Sequence, residues 1–174
     1  MNKHSQDLQE KRGQFLLGDC LDWLPTFPDK HFALAVTSPP YNIGKEYERE
    51  NKFSFDEYLA WQDEVIAALV PKLKKSGSIC WQVGNYIKDG ESFPLDIFLY
   101  QSFKNRGLKL RNRIIWKFNF GLNSTARLSG RYETVLWFTK SDNYKFNLDP
   151  IRVTQLYSEL GAALENENWK EAEI

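Results

Sequence analysis

The tetrapeptide Ser38-Pro39-Pro40-Tyr41 directly follows an apolar run, Phe32-Ala33-Leu34-Ala35-Val36, and its residue types make a stiff hydrogen-bond acceptor. Two successive prolines fix the backbone, remove two amide donors and leave carbonyl oxygens pointing outward. Ser38 Oγ and the Pro39 carbonyl can then accept from an exocyclic amino group, and the Tyr41 ring offers a face for a planar base. Taken alone, a Pro-Pro corner usually just ends a strand, with Tyr41 filling space beside it. Context shifts the weighting. Gly18-Asp19-Cys20 follows the apolar stretch before it, and Thr37-Ser38-Pro39-Pro40-Tyr41-Asn42-Ile43-Gly44 is too specific a string for chance. Asp19 by itself reads equally well as a turn residue after Gly18.

The elements around these residues must bring them to one place. Residues 15–17 read as a short strand, 21–24 as a helical turn stopped by Pro25 and Pro28, and 32–36 as a strand buried on both faces of a parallel sheet. Ser54 with Glu57 three residues later is a capping box, and Tyr58, Trp61, Val65, Ala68 and Leu69 keep helical spacing up to Pro71. A further buried strand follows at 78–83 and a helix at 94–103. Alternation of strand and helix implies right-handed crossovers and a parallel sheet. Residues 110–118 and 133–139 are expected as two antiparallel edge strands, joined by a polar connection at 119–132. Connections that long are functional or lack fixed structure. A strand that ends in a functional loop matches the ligand site of open α/β sheets, outside the carboxyl ends of strands.

At 174 residues the chain suits a domain with a sizeable core. Its 42% apolar and 26% charged residues are ordinary for a globular protein. Six tryptophans suit either stacking or a bulky core. Net charge is zero, so no global field draws the chain to nucleic acid, but the distribution is uneven. Eight basic residues and no acidic one lie between Lys104 and Arg131, whereas the last twenty residues carry five glutamates against Lys170. Two isolated cysteines, Cys20 and Cys80, exclude a disulfide framework and a zinc site, which predicts a reduced, cytoplasmic protein without a metal. The polar start of the chain and the lack of any eighteen-residue apolar stretch indicate neither export nor membrane insertion.

With these motifs in hand, the sequence resembles the DNA N4-cytosine and N6-adenine methyltransferases of the permuted class, whose catalytic motif precedes the cofactor motif. The resemblance runs over about residues 15–152. It rests on the Gly18-Asp19 pair, the Ser38-Pro39-Pro40-Tyr41 motif, Ile115-Trp116-Lys117, and the block from Arg131-Tyr132-Glu133 through Trp137-Phe138-Thr139-Lys140-Ser141. It implies an α/β fold: a partial Rossmann-like, S-adenosylmethionine-dependent methyltransferase sheet of parallel strands with an antiparallel edge hairpin. It also implies direct methyl transfer from the sulfonium of S-adenosylmethionine to an exocyclic amino nitrogen of double-stranded DNA. Ser38, Pro39, Pro40 and Tyr41 would hold the amine of a flipped-out base, and Asp19 and Cys20 would lie near the cofactor's adenine. Extruding the base costs a few kcal/mol that stacking on Tyr41 offsets in part. Lys45, Arg49, Lys52, Arg127 and Arg131 are candidate phosphate contacts, each also readable as a solvated surface charge. No Pro-Cys nucleophile is present, in keeping with transfer that needs no covalent intermediate. Ser at the first motif position favours cytosine N4 over adenine N6.

The resemblance has a boundary. Members of the class continue into a recognition region and a Gly-rich Asp-Pro-Phe-x-Gly-x-Gly-type segment, whereas after Asp149-Pro150 this sequence holds one glycine, Gly161. The expected organisation is a flexible N-terminus at 1–14, the target-base half of a methyltransferase at 15–152, and a helical or disordered acidic tail at 153–174. Such a chain would be a fragment, one piece of a split enzyme or a remnant, with an exposed sheet edge suited to a complementary subunit or a second copy. The alternative is a non-catalytic DNA-binding remnant or subunit that keeps the base pocket without cofactor turnover.

Overall fold

A computed structural model describes residues 13–42, 53–120 and 124–152. Asp19 opens the first helix, α1 (Cys20–Trp23), by accepting from the Leu21 amide at 2.8 Å. Pro25 then sits in a 3-10 turn, Leu24–Thr26, that stops it. The apolar run becomes β1 (Phe32–Thr37). Helix α2 (Phe55–Lys72) starts at the capping box expected from sequence: Ser54 Oγ accepts from Glu57 N at 3.3 Å, and Glu57 Oε2 accepts from Ser54 N at 2.7 Å. Its last carbonyls are not left bare. Lys30 N donates to Pro71 O at 3.0 Å, His31 N to Lys72 O at 2.8 Å, and Lys140 Nζ to Val70 O and Leu73 O at 2.8 and 3.1 Å. Burial holds the Lys140 ammonium below its ordinary pKa.

The remaining elements are β2 (Leu73–Val83), β3 (Asn85–Lys88), β4 (Glu91–Pro94), α3 (Leu95–Asn105), β5 (Lys109–Lys117) and β6 (Tyr132–Thr139). Four strands form a sheet in the order β1-β2-β6-β5. β1 and β2 are parallel across the α2 crossover, while β6 runs antiparallel to both its neighbours, β2 and β5. The β3–β4 hairpin was not anticipated, although its turn is written in Asp89-Gly90, with φ of 50° and 83°. Phe55 stacks on Tyr86 at 5.3 Å and meets Phe93 at 5.0 Å, so the hairpin is seated on the start of α2.

Two sequence expectations change. Residues 15–17 form no strand; Phe15 and Leu17 are 100% and 97% exposed, with no ladder neighbour among the described residues to pair with. Nor is β1 buried on both faces, since Leu34 and Val36 are 55% and 69% exposed and β2 is its one partner among the described residues. Along β2 burial alternates: Ile79, Trp81 and Val83 are buried, and Cys80 and Gln82 only partly so. The buried set packs with Leu136, Phe138, Tyr58, Ile66, Leu99 and Phe103 in one core, where Phe103 stacks on Phe138 at 4.5 Å. Each such side chain contributes about 1.5–3 kcal/mol.

Four of the eight basic residues between Lys104 and Arg131 form ion pairs within the fold. Arg106 grips Asp63 through two bonds of 2.7 Å, and Arg113 ties β5 to the buried Asp96 of α3. Arg111 reaches Thr139 and Asp142, and Lys109 also pairs with Asp142.

Residues 1–144 and 145–174 form two units. The described part of the second holds a 3-10 turn, Asp149–Ile151, with Arg152 paired to Asp149 at 3.4 Å. Residues 153–174, expected as the tail, and 1–12 lie outside the described residues. No described helix is long and apolar enough to cross a membrane.

Candidate active site

Strand direction assembles the site. β1 and β2 are parallel, so both deliver their carboxyl ends to the same sheet edge. Antiparallel β6 brings its first residues there, with Val83 opposite Thr134 and Gln82 opposite Val135. Side chains alternate along strands, so Gln82 and Glu133 share the face opposite to Trp81 and Leu136. The Ser38-Pro39-Pro40-Tyr41 corner leaves the end of β1 at this point.

A hydrogen-bonded chain runs through it. Ser38 Oγ lies 2.8 Å from Tyr41 Oη, Tyr41 donates to Glu133 Oε2 at 3.1 Å, and Gln82 Nε2 donates to the same oxygen at 2.5 Å. Gly84 lies beneath the Tyr41 ring: a Cβ there would meet ring carbons at 3.4 Å, so the backbone approaches as a flat support. Asn42 takes φ of 58°, a left-handed conformation that asparagine tolerates, and its Nδ2 donates to Phe53 O at 2.8 Å.

The corner separates two cavities. The first, about 480 Å³, is mostly apolar and includes Cys20, Ser38, Pro39, Pro40 and Val36 in its walls, with Trp61, Gln62 and Trp81 from α2 and β2. Gln62 and Trp81 are each 1% exposed, yet both amide atoms of Gln62 and Nε1 of Trp81 have no partner among the described residues. Such atoms in an apolar wall cost about 1–3 kcal/mol each unless a ligand meets them. The second cavity, about 740 Å³, lies on the Tyr41 side and includes Gly84, Asn85, Arg127, Tyr132 and Glu133.

Of the residues singled out from sequence, Ser38, Pro39, Pro40 and Cys20 come together at the first cavity, and Tyr41 and Arg127 at the second. Asp19 is occupied with capping α1, beside Gly18 at φ of 136°. Arg131 reaches Asn119 Oδ1 at 3.5 Å. Lys45, Arg49 and Lys52 lie outside the described residues. Burial, then the neighbouring Asp19 carboxylate, pushes the Cys20 thiol up, and burial does the same to Cys80, so both stay protonated and weakly nucleophilic near neutrality. No group of three or more His, Cys, Asp or Glu side chains that could hold a metal occurs among the described residues. Gln82, Gln62 and Trp81 were missed as site residues, because their importance comes from strand register and burial. Alternation of Gln82 between Trp81 and Val83 was the one local signal available.

A parallel-strand carboxyl edge with a diproline corner and paired cavities is where open α/β sheets bind ligands. The comparisons with known proteins make the class definite. Residues 32–169 match the N6/N4 DNA methylase family, and the chain belongs to that family. It is 48% identical over 142 residues to the type II methyltransferase M.BglII of Bacillus subtilis, a match covering 81% of this chain and 39% of that relative. The chain therefore spans about two fifths of that relative's length. Among solved structures, the PvuII DNA methyltransferase (cytosine-N4-specific) aligns with a TM-score of 0.66 at 21% identity, over 86% of this chain and 61% of that one. TTHA0409 of Thermus thermophilus, complexed with S-adenosyl-L-methionine, aligns with a TM-score of 0.60 at 24% identity, over 79% and 59% of the two chains. These likenesses extend the partial Rossmann-like reading of the fold, including the antiparallel hairpin of β5 and β6.

Proposed function

We propose that this chain is the target-base half of an S-adenosylmethionine-dependent DNA methyltransferase, acting on an exocyclic amino nitrogen and on cytosine N4 in preference to adenine N6. The observation that carries the reading is the Ser38–Tyr41 corner, hydrogen-bonded to Glu133 and open to a cavity on each side. In this reading 15–152 is the catalytic half, between a short polar segment and the acidic tail.

The first cavity suits the cofactor. Its apolar walls match a nucleoside, and the unpartnered Gln62 amide and Trp81 Nε1 match the donors and acceptors on the edge of a heteroaromatic ring. Gln62, Trp81, Cys20 and Trp61 are the residues that would hold it, with Asp19 nearby. Bound there, S-adenosylmethionine supplies an electrophilic methyl group on sulfur.

The chain's own residues do the rest. Tyr41, backed by Gly84, is a rigid platform on which an extruded base stacks. Ser38 Oγ and the Pro39 carbonyl accept from the amino protons. This favours the tetrahedral nitrogen over the conjugated one and stabilises the charge that develops on it. Orientation supplies much of the remaining rate. Raised thiol pKa values at Cys20 and Cys80 support transfer without a covalent enzyme intermediate. Arg127 at the second cavity, with Arg131, Lys45, Arg49 and Lys52, would contact DNA phosphates.

The single ladder partner of β1 among the described residues supports a complementary polypeptide or second copy at that edge. Mass spectrometry of nucleosides from DNA incubated with the chain, alone and with any complementing polypeptide, tests the reading. N4-methylcytosine is the expected product, N6-methyladenine would correct the base, and neither product under any condition would remove the function.

A further inference from the structure

Glu133 sets a direction on the hydrogen-bonded chain. A carboxylate accepts only, and Tyr41 has one hydroxyl hydrogen, which it gives to Glu133 Oε2 at 3.1 Å. The 2.8 Å bond between Ser38 Oγ and Tyr41 Oη must then run from Ser38 to Tyr41. Ser38 has therefore spent its hydrogen on Tyr41, and toward any further partner Oγ can only accept. An amino group, which brings hydrogens, needs this polarity. A hydroxyl pointing outward as a donor would repel it.

We propose that Ser38, Tyr41 and Glu133 form a directional proton relay in which Glu133 takes the proton displaced from the target amine, with Gln82 holding its carboxylate in place. The inference rests on the function proposed above. As the N–CH3 bond forms and the S–CH3 bond breaks, sulfur keeps that electron pair and the positive charge passes to the amine nitrogen. One N–H bond then breaks, its electrons remaining on nitrogen. That proton goes to Ser38 Oγ, the Ser38 proton to Tyr41 Oη, and the Tyr41 proton to Glu133 Oε2. Both hydroxyls are restored, the methylated amine is neutral, and Glu133 is a carboxylic acid. Glu133 also borders the second cavity, so it can return the proton to water through that opening.

Gln82, 2.5 Å from the same oxygen, cannot ionise and acts as a clamp. Arg127 and Tyr132 are the other ionisable side chains bordering the cavity besides Tyr41 and Glu133. Within the relay itself, Glu133 is the one carboxylate, and its oxygen is where the chain of hydroxyls ends.

The test is single-turnover methyl transfer by the active enzyme, with a complementing polypeptide where one is needed, between about pH 5 and 9. Glu133→Gln keeps size and can still bond Tyr41 but takes no proton. It is expected to slow transfer by about 10²-fold, while DNA affinity and the fluorescence of 2-aminopurine at the target position stay unchanged. Tyr41→Phe keeps the ring and breaks the relay. It should slow transfer equally, and the double variant should be no slower than either single one. A Glu133→Gln enzyme with the wild-type rate overturns the relay, as do a double variant slower than either single one and a slow variant that has also lost base extrusion. A wild-type enzyme that transfers no methyl group at any pH overturns the functional reading itself, and the relay with it.

Discussion

Ser38 illustrates how little a residue's identity says without its partners. Its hydroxyl could donate or accept, and the Tyr41–Glu133 bond is what makes it an acceptor. Ser38→Ala should lower methyl transfer by about 10²–10³-fold while leaving DNA binding intact, measured by radiolabelled methyl incorporation against a binding titration. Gln62 separates stability from function. Its amide is buried without a partner among the described residues, so Gln62→Leu should stabilise the chain by about 1–3 kcal/mol in thermal melts. The same change should weaken S-adenosylmethionine binding in calorimetry. A variant that is less stable and binds equally well would remove Gln62 from the cofactor wall.

Among the elements, α2 carries the most. It spans the crossover between β1 and β2, and its side chains wall the first cavity. Ser54→Ala removes the capping box and should cost about 1 kcal/mol in denaturant unfolding, with no effect on cofactor affinity beyond that loss. Helix α2 is also tied to the end of α3, where Arg106 holds Asp63 below the usual carboxylate range chiefly through its hydrogen bond. A depressed carboxylate pKa contributes stability above the ordinary value near about 4 and loses it as pH falls through the lowered one. The Asp63 side chain is 44% exposed, so solvent screens the pair and its contribution is only about 0.2–1 kcal/mol. Asp63→Asn should lower the melting temperature slightly at neutral pH and leave it unchanged in acid strong enough to protonate Asp63, where both proteins lack the ion pair. A gap that persists in strong acid would point to packing instead.

For the whole molecule, the important feature is the sheet edge. β1 exposes Leu34 and Val36 and has one ladder partner, β2, among the described residues, and natural proteins cover or blunt such edges. Purified chain should self-associate with rising concentration in sedimentation velocity, and Val36→Lys should reduce this. Concentration-independent monomers for both would show that the edge is not adhesive. The zero net charge works in the same direction, since nothing repels one copy from another. In the basic stretch around β5, which suggests a nucleic-acid surface when read along the chain, Arg106, Lys109, Arg111 and Arg113 are spent on ion pairs with Asp63, Asp96 and Asp142.

Local physical chemistry was legible in the residues themselves. The capping box of Ser54 and Glu57 and the strand that Pro39 and Pro40 terminate are each decided within a few residues, by side-chain caps or missing amides. Family membership was legible in the same way, because the motif around Ser38 is contiguous. What required tertiary structure was everything that depends on neighbours distant in the chain. Residues 15–17 look like a strand but have no ladder to join among the described residues, and β1 looks doubly buried but leaves Leu34 and Val36 exposed. Glu133 lies 92 positions from Tyr41 and meets it only because β6 runs antiparallel beside β2. Hydrogen-bond direction, burial and cavity walls are relations between surfaces, so only the folded sheet could decide them.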